Sequence, residues 1–376
     1  MYLAISVLLA AVLAGSLVYC VLVLVAVRRF TSHAPAAPVR LTAPVSILKP
    51  LHGLDLGLED NLRSFFAQDY PGEFELLFAT RDPGDPALIL VDRLSAEHPQ
   101  VPVRKILTGE PPWANAKVWS LDRMMREARH DLLVMSDSDI RVDRMFVQNV
   151  VADFADPSIG LATCPYRAVA GPSLWSRLEA VGMNTEFWAG VLVARMLEGV
   201  RFTVGPTVVG RRSVIEAVGG WDRVKDYLAE DFVLGAFAAE KGIGVILSRT
   251  VVEHRIGSES VRANFTHRVR WNRSTRRSRP AGYIGQLFTN PLPIALMLVA
   301  LQPFWWPALA VTCVFRAAVA ASVARVLRAP AGWALLPFQD ILSFVFWLSG
   351  FFGSTIHWRG RKYRLLSDGR FELVEK

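Results

Sequence analysis

Residues 131–140 read DLLVMSDSDI, an apolar run (Leu132, Leu133, Val134, Met135) that stops at Ser136-Asp137-Ser138-Asp139. A short, unbroken apolar run bounded by polar residues is the pattern of a strand buried on both faces, as in a parallel sheet. Groups just beyond such a strand stand on the edge where ligands of open α/β sheets collect. Two carboxylates spaced two apart there point the same way and can share one hard cation. Mg2+ or Mn2+ takes one or two carboxylates and fills its shell with phosphate oxygens and water. The bland alternative is that Asp137 and Asp139 cap the next helix.

The flanking sequence repeats the theme. VSILK (45–49) is followed by LEDNLRSFFAQ and ELLFAT (75–80) by PALILVDRLSAEH; then come VPVRKIL, KVWSLDRMMREA, DLLVMSD and MFVQNVVADF. This alternation predicts an α/β domain over residues 45–280 with a mostly parallel sheet. VSILK runs into Lys49-Pro50-Leu51-His52-Gly53 and ELLFAT into Arg81-Asp82-Pro83-Gly84-Asp85-Pro86, placing two more polar loops on the edge of Asp137.

The chain has 376 residues, more than such a domain needs, and the remainder is apolar. Hydrophobic residues make up 52% of the chain and gather at its two ends. Residues 2–27 carry no charge and exceed the roughly 20 residues that cross a bilayer's hydrocarbon. They lack the basic start of a cleaved signal peptide and are read as an anchor, residues 1–29. Arg28 and Arg29 follow, which by the positive-inside rule puts the N-terminus outside and the next domain in the cytoplasm. The Pro- and Ala-rich residues 30–44 read as a linker.

A second apolar block, 281–358, is interrupted by Pro291, Pro293, Pro303 and Pro307 and is expected to hold membrane helices. It runs into WRGRKYR, where Arg359, Arg361, Lys362 and Arg364 mark 359–376 as a basic cytoplasmic tail. With domain and tail on one side, the block crosses an even number of times. Its three apparent runs break that parity, so one is interfacial or re-entrant, or two merge into one span. The Ala- and Arg-rich composition points to a bacterial source, hence an integral protein of the inner membrane.

A formal net charge of +8 suits an anionic membrane face or an anionic substrate. The basic residues cluster beside the membrane blocks rather than along a soluble surface, which argues against nucleic acid. Cys20, Cys164 and Cys313 are scattered, with neither a disulfide framework nor zinc spacing.

Two further stretches carry chemistry. YLAED ends at Glu230-Asp231 before the helical FVLGAFAAEKG, so Asp231 falls in a loop or first turn, where a carboxylate can take a proton from an attacking hydroxyl or merely cap the helix. FTHRVRWNRSTRRSR (265–279) is a strongly basic segment whose arginine forks suit phosphate oxygens. From Arg276 onward it reads as a juxtamembrane anchor for acidic lipids; His267, Arg270 and Trp271 read as site residues.

Taken in order, Lys49-Pro50, the Asp82–Asp85 loop, Asn115-Ala116-Lys117-Val118, Asp137, Glu230-Asp231 and His267-Arg268-Val269-Arg270-Trp271 resemble the ceramide glucosyltransferases. These belong to the inverting GT-A glycosyltransferases with a D, D, D, (Q/R)xxRW signature, and the likeness covers nearly the whole chain. It implies a GT-A (Rossmann-like) domain between an N-terminal transmembrane anchor and C-terminal transmembrane helices. It also implies transfer of a hexose, glucose first, from a UDP-sugar to the primary hydroxyl of ceramide. By the same resemblance, Asp82 or Asp85, with Asp85 the closer match, contacts the uracil or ribose. Asp137 binds a metal-diphosphate with Mg2+ or Mn2+, and Asp139 adds a second carboxylate to the metal. Asp231 is the general base. Arg270 and Trp271 hold the diphosphate and the acceptor end, with Lys49 and Lys117 as further nucleotide-sugar contacts. His267 stands where the signature has Gln or Arg, and MNTEFWAG (183–190) occupies the region of a histidine found in some members. The rivals are a hopanoid glycosyltransferase using UDP-GlcNAc, a processive polysaccharide synthase and a non-catalytic membrane scaffold.

Overall fold

The computed structural model describes residues 2–32, 41–257, 260–358 and 361–375. Among the described residues, thirteen strands fall into three sheets. They are β1 (Val45–Pro50), β2 (Phe74–Thr80), β3 (Val103–Leu107), β4 (Leu132–Ser136), β5 (Ile140–Arg141), β6 (Ile159–Thr163), β7 (Tyr166–Val169), β8 (Thr207–Arg211), β9 (Gly244–Leu247), β10 (Val252–Arg255), β11 (Thr355–Trp358), β12 (Arg361–Leu365) and β13 (Phe371–Glu375). The main sheet has the order β3-β2-β1-β4-β8-β6-β9. Its first four strands are parallel, β8 runs antiparallel to both neighbours, and β6 pairs parallel with β9. All strands but β8 therefore end on one edge.

The apolar runs form this sheet because both faces are covered. Alternate residues of one strand enter different cores: Ile47 and Val134 face one, Leu48, Leu133 and Met135 the other. The chain moves from β1 to β2 on one side and reaches β4 on the other, so a topological switch lies between β1 and β4. The loops after these strands are Lys49–Gly53 and Asp137–Asp139, where such sheets bind ligands. DLLVM is thus a central strand that delivers its carboxylates to the crevice.

The N-terminal helix, Tyr2–Ser32, is not a detached anchor. Cys20, Val23, Ala26 and Phe30 join the core that also holds Val45 and Val134. Arg249, just past the end of β9, donates from Nη2 to the Phe30 carbonyl (2.6 Å), and the Arg195 and Arg249 guanidinia lie over the Phe30 ring. The end of this helix thus meets the main sheet just past the carboxyl end of β9.

In the C-terminal block the prolines start helices rather than interrupt them. Pro291 opens Pro291–Leu301, Pro303 opens a short 3-10 turn, and Pro307 lies in the first turn of Trp306–Leu327, positions that need no backbone N–H. Among the described residues, two helical stretches are long and apolar enough to cross a membrane, Tyr2–Ser32 and Pro303–Leu327. A third span arises if the pair Pro280–Thr289 and Pro291–Leu301, bent by 57°, counts as one. The helix Leu336–Gly350 has 15 residues, about 22 Å at 1.5 Å per residue, short of a ~30 Å hydrocarbon core.

A buried ion pair ties these helices to the α/β domain. Arg316 donates from Nε and Nη2 to Asp340 (2.8 and 2.7 Å) and from Nη2 to Thr185 Oγ1 (3.0 Å). Removing one partner strands a buried charge. Arg316→Met is expected to destabilise the solubilised protein by about 3–5 kcal/mol, and adding Asp340→Leu to recover most of that. Thermal melting in detergent checks both; equal losses in the single and double variants exclude the pairing.

The segment read as a basic tail differs from expectation. Its described residues are strands β12 and β13, which with β11 make an antiparallel sheet; Arg359 lies outside the described residues, as do 33–40 of the linker. Ile356, Tyr363, Leu365 and Phe371 form a small core there, with Ala114 and Leu228 of the α/β domain packed against it. Alternation of these apolar residues with the arginines drives a two-sided strand pattern, apolar inward and basic outward.

Candidate active site

The switch-point crevice is built around a buried lysine. Lys49, at the end of β1, is 0% exposed and sits 3.7 Å over the Phe65 ring. Its ammonium donates to the Asp137 carbonyl (2.8 Å). Burial pushes its pKa down to about 7, against the pull of Asp137 and Asp139. Lys49 thus lies beneath the Asp137 loop and supports it instead of facing the crevice.

Above it stands Lys117, on the helix Ala116–Glu127. Asn115 caps that helix, accepting from the Lys117 and Val118 amides at 3.1 and 3.3 Å, an arrangement worth about 1 kcal/mol. The Asn115 amide also donates to the Tyr227 carbonyl (2.9 Å) and to Glu230 Oε2 (3.1 Å). Lys117 Nζ reaches Asp137 Oδ1 at 2.7 Å and Glu230 Oε1 at 3.3 Å, and donates to the Gly205 carbonyl at 3.4 Å. Burial works against its charge, but Asp137 and Glu230 outweigh it and raise the pKa. Burial also raises the Asp137 carboxyl above the usual range, with Lys117 opposing.

Asp231 opens the helix Glu230–Glu240 beside the same lysine. Burial, then the neighbouring Glu230 charge, pushes its carboxyl up to about 7, partly offset by Lys117 and by hydrogen bonds from the Phe232 and Gly205 amides. A Cβ at Gly205 would lie 2.9 Å from Asp231 Oδ2, so glycine there permits the loop's close approach. Asp137 pairs with the Lys117 ammonium, and Asp231, 94 residues further along the chain, follows Glu230, the second carboxylate on that ammonium.

Asp139 has a partner that sequence reading missed. His254 of β10 lies with Nε2 3.1 Å from Asp139 Oδ2, placed by pairing of His254 with Ile140 in the small sheet. Burial favours the neutral forms of both. The mutual attraction prevails, holding the Asp139 carboxyl low and the His254 imidazole high.

Among the described residues no group of three or more His, Cys, Asp or Glu side chains is arranged to hold a metal ion. The acidic residues nevertheless fit a divalent cation that draws most of its shell from a substrate. Asp137 Oδ1 already rests on a cation, the Lys117 ammonium, and Asp139 Oδ1 is buried without a hydrogen-bond partner.

The two acids after β2 separate. Asp85, favoured by the resemblance, is buried and accepts from the Gly53 amide (3.0 and 3.1 Å) and the Ala87 amide (2.9 Å), tying the β1 and β2 loops together. Asp82 is exposed and accepts from the Gly84 amide (2.8 Å) through one oxygen. Between these loops and Trp119 is a small open crevice, lined also by His52, Arg81 and Thr108. Trp119 is held there by donation from Nε1 to the Thr108 carbonyl (3.0 Å).

The basic helix Val261–Ser278 presents its signature residues in different directions. His267 and Trp271, one turn apart, stack edge-to-face with centroids 4.6 Å apart. His267 Nδ1 is 3.2 Å from Glu179 Oε1, whose other oxygen takes the Asn264 amide. Trp271 packs on the main core, and the Arg270 guanidinium lies 5.8 Å over the Trp358 ring of β11. Arg276, read as a lipid anchor, donates instead to the carbonyls of Phe351 and Gly353. The glycine-rich turns around Gly205 and Gly219 and the pairing of Glu230 with Asp231 were the available signals for this clustering; His254, Glu179 and Trp358 left none in local spacing.

Comparison with known proteins agrees with this geometry. The chain is 28% identical over 241 residues to ceramide glucosyltransferase 1 of Caenorhabditis elegans, covering 64% of this chain and 51% of the relative. It is 26% identical over 228 residues to ceramide glucosyltransferase 3 of the same organism, covering 60% and 49%. The chain thus spans about half the length of these curated relatives. Among solved structures, the mannosyltransferase PcManGT from Pyrobaculum calidifontis, in complex with GDP-Man and Mn2+, superposes with a TM-score of 0.56 at 20% identity. That match covers 93% of this chain and 99% of that one, and the shared architecture is the GT-A fold. The family model for glycosyl transferase family 21 matches residues 7–371, and the chain belongs to that family.

Proposed function

We propose that the chain is a membrane glycosyltransferase that moves glucose from UDP-glucose to the primary hydroxyl of ceramide with inversion. The observation that carries this is Lys117, whose ammonium pairs with Asp137 and with Glu230, the neighbour of Asp231, at the carboxyl edge of the main sheet. A diphosphate needs a cationic cradle and an incoming hydroxyl needs a base. Here the two stand side by side.

In this reading the uracil enters the crevice beside Trp119, with Asp82 toward the ribose and Asp85 holding the loop in shape. Asp231 accepts the proton of the acceptor hydroxyl as that oxygen bonds to the anomeric carbon from the face opposite the diphosphate. The bond from that carbon to the diphosphate oxygen breaks, and its electron pair leaves with the phosphate. Lys117 and Arg270 stabilise the charge that develops there. Asp137 and Asp139 would hold Mg2+ or Mn2+, which when bound supplies further neutralisation of the diphosphate. One displacement converts an α-linked donor into a β-linked product. The acceptor reaches Asp231 from the bilayer, with the catalytic domain on the cytoplasmic side. His267 and Trp271 lie toward the acceptor end.

The test is an assay of the purified chain in lipid nanodiscs with UDP-glucose, UDP-galactose, UDP-glucuronate and UDP-GlcNAc against ceramide and a hopanoid. β-Glucosylceramide, identified by mass spectrometry and the anomeric NMR coupling, is the expected product. A GlcNAc-hopanoid, a polymer or no lipid product overturns the reading. Chelation with EDTA is expected to reduce transfer to background, and Mn2+ or Mg2+ to restore it; full activity in EDTA removes the metal assignment.

A further inference from the structure

The β11–β13 sheet is tied to three segments around the crevice: the basic helix, the loop before the Lys117 helix and the loop before Asp231. From the basic helix, Arg273 donates to the Phe352 carbonyl (2.9 Å) and the Thr355 carbonyl, and Arg276 donates to the Gly353 carbonyl (2.8 Å). From the loop before the Lys117 helix, Glu110 pairs with Arg361 of β12 and, at 3.4 Å, with Arg81 of the crevice beside Trp119. From the loop before Asp231, the Asp226 carbonyl accepts from the Phe371 amide (2.8 Å), and Tyr227 makes an antiparallel bridge to Arg370. That loop is also held from inside, since Asn115 donates to Tyr227 and accepts its helix cap. The sheet thus ties together three segments that are far apart in sequence.

Trp358 lies where the ties converge. Its ring packs within 6.3 Å of Tyr363 and 6.0 Å of Phe371, centroid to centroid, and Phe371 is the residue bonded to Asp226. The Arg270 guanidinium lies 5.8 Å over the same indole. A guanidinium over an indole face is attracted by the ring quadrupole and loses rotamer freedom there. A solvated tail would have no reason to hold a signature arginine and the loop of the base at once.

We propose that Trp358 is a positioning residue for Arg270, and that the β11–β13 sheet is the brace that fixes this arginine relative to the loop bearing Asp231. The role rests on the reading of Arg270 as a diphosphate ligand. The brace follows directly from the helix Leu336–Gly350, so the apolar block and the donor site are mechanically continuous.

The test is a double-mutant cycle on the full chain in nanodiscs, reading kcat, KM for UDP-glucose, KM for the lipid and the inhibition constant of UDP. Trp358→Leu keeps apolar bulk but removes the π face. It is expected to raise the UDP inhibition constant and the donor KM about 5- to 30-fold, the range of a desolvated cation–π contact, with the lipid KM unchanged. Trp358→Phe is expected to stay within about threefold of wild type. In an Arg270→Ala background, Trp358→Leu is expected to add nothing, because the indole acts through the arginine. Unchanged UDP inhibition in Trp358→Leu, or losses that multiply in the double variant, overturn the proposal. Should Trp358→Leu not fold, Arg361→Ala carries the same cycle by releasing the sheet from Glu110: a several-fold weaker UDP inhibition that vanishes without Arg270 supports the brace, and no change overturns it. Absence of any transfer by the wild-type chain removes the role of Arg270 itself; transfer with multiplicative losses removes only that of Trp358.

Discussion

Asp231→Asn is expected to lower kcat for sugar transfer by about 10²- to 10⁴-fold, the contribution of a positioned general base, while the KM for the UDP-sugar changes little. The substitution keeps the size and most hydrogen bonds of the side chain but removes its ability to take a proton. Single-turnover kinetics with a lipid acceptor measure it; a variant within tenfold of wild type takes Asp231 out of the reaction. The pH profile of the wild-type chain gives a second reading of the same residue. With its carboxyl pushed up to about 7 by burial and Glu230, Asp231 is a poor base below that pH and a competent one above it. The acidic limb of kcat/KM is expected to rise through about pH 7.

Stability should move the other way. A carboxyl whose folded pKa lies above its unfolded one binds its proton more tightly when folded, so between roughly pH 4 and pH 7 the unfolded chain carries fewer protons and stability falls as pH rises. Asp231→Asn removes that penalty. The variant is expected to melt above wild type at pH 8 and together with it at pH 4, which separates a lost base from a damaged fold.

Asp137→Asn is expected to reduce kcat/KM by about 10²- to 10³-fold, the scale of losing one electrostatic stabiliser of the leaving group, here the divalent cation that this carboxylate would hold. The mechanism differs from that of Asp231. Without the Asp137 charge, Lys117 keeps Glu230 at 3.3 Å as its ion-pair partner and the helix keeps its Asn115 cap, so the fold should survive. What should disappear is the coupling between nucleotide and cation. In the wild type, UDP binding measured by calorimetry should tighten on adding Mn2+; in Asp137→Asn it should not. Retained tightening in the variant moves the cation away from this loop.

Much of the scaffold was readable from local pattern. VSILK, ELLFAT and DLLVM are strands because a run of apolar residues with no polar break has to be covered on both sides, and the observed split of Ile47 and Leu48 between two cores shows that cover. Asp137 and Asp139 followed, since a polar pair just past a central parallel strand has one place to go. The roles of Lys49 and Asp85 were not readable, because a lysine or aspartate beside such a loop has the same spacing whether it faces a ligand or holds the loop from below. Only depth distinguishes them, and Lys49 is 0% exposed. The C-terminal sheet was masked by its arginines. Beneath them Ile356, Trp358, Tyr363 and Leu365 keep a period of two, but strands this short next to an apolar block resemble a juxtamembrane segment in charge and hydropathy alike.

Covalent spacing sets which side chains of one element share a face, so the amino-acid sequence alone determined the strands, the apolar helices and the carboxylates at the sheet edge. Which charges meet was decided by the tertiary structure. His254 reaches Asp139 across 115 residues, Lys117 stands between Asp137 and Glu230, and Arg270 lies on Trp358. Those meetings depend on strand register and on how helices seat against the sheet, quantities fixed by the packing of the whole chain and written in no local period.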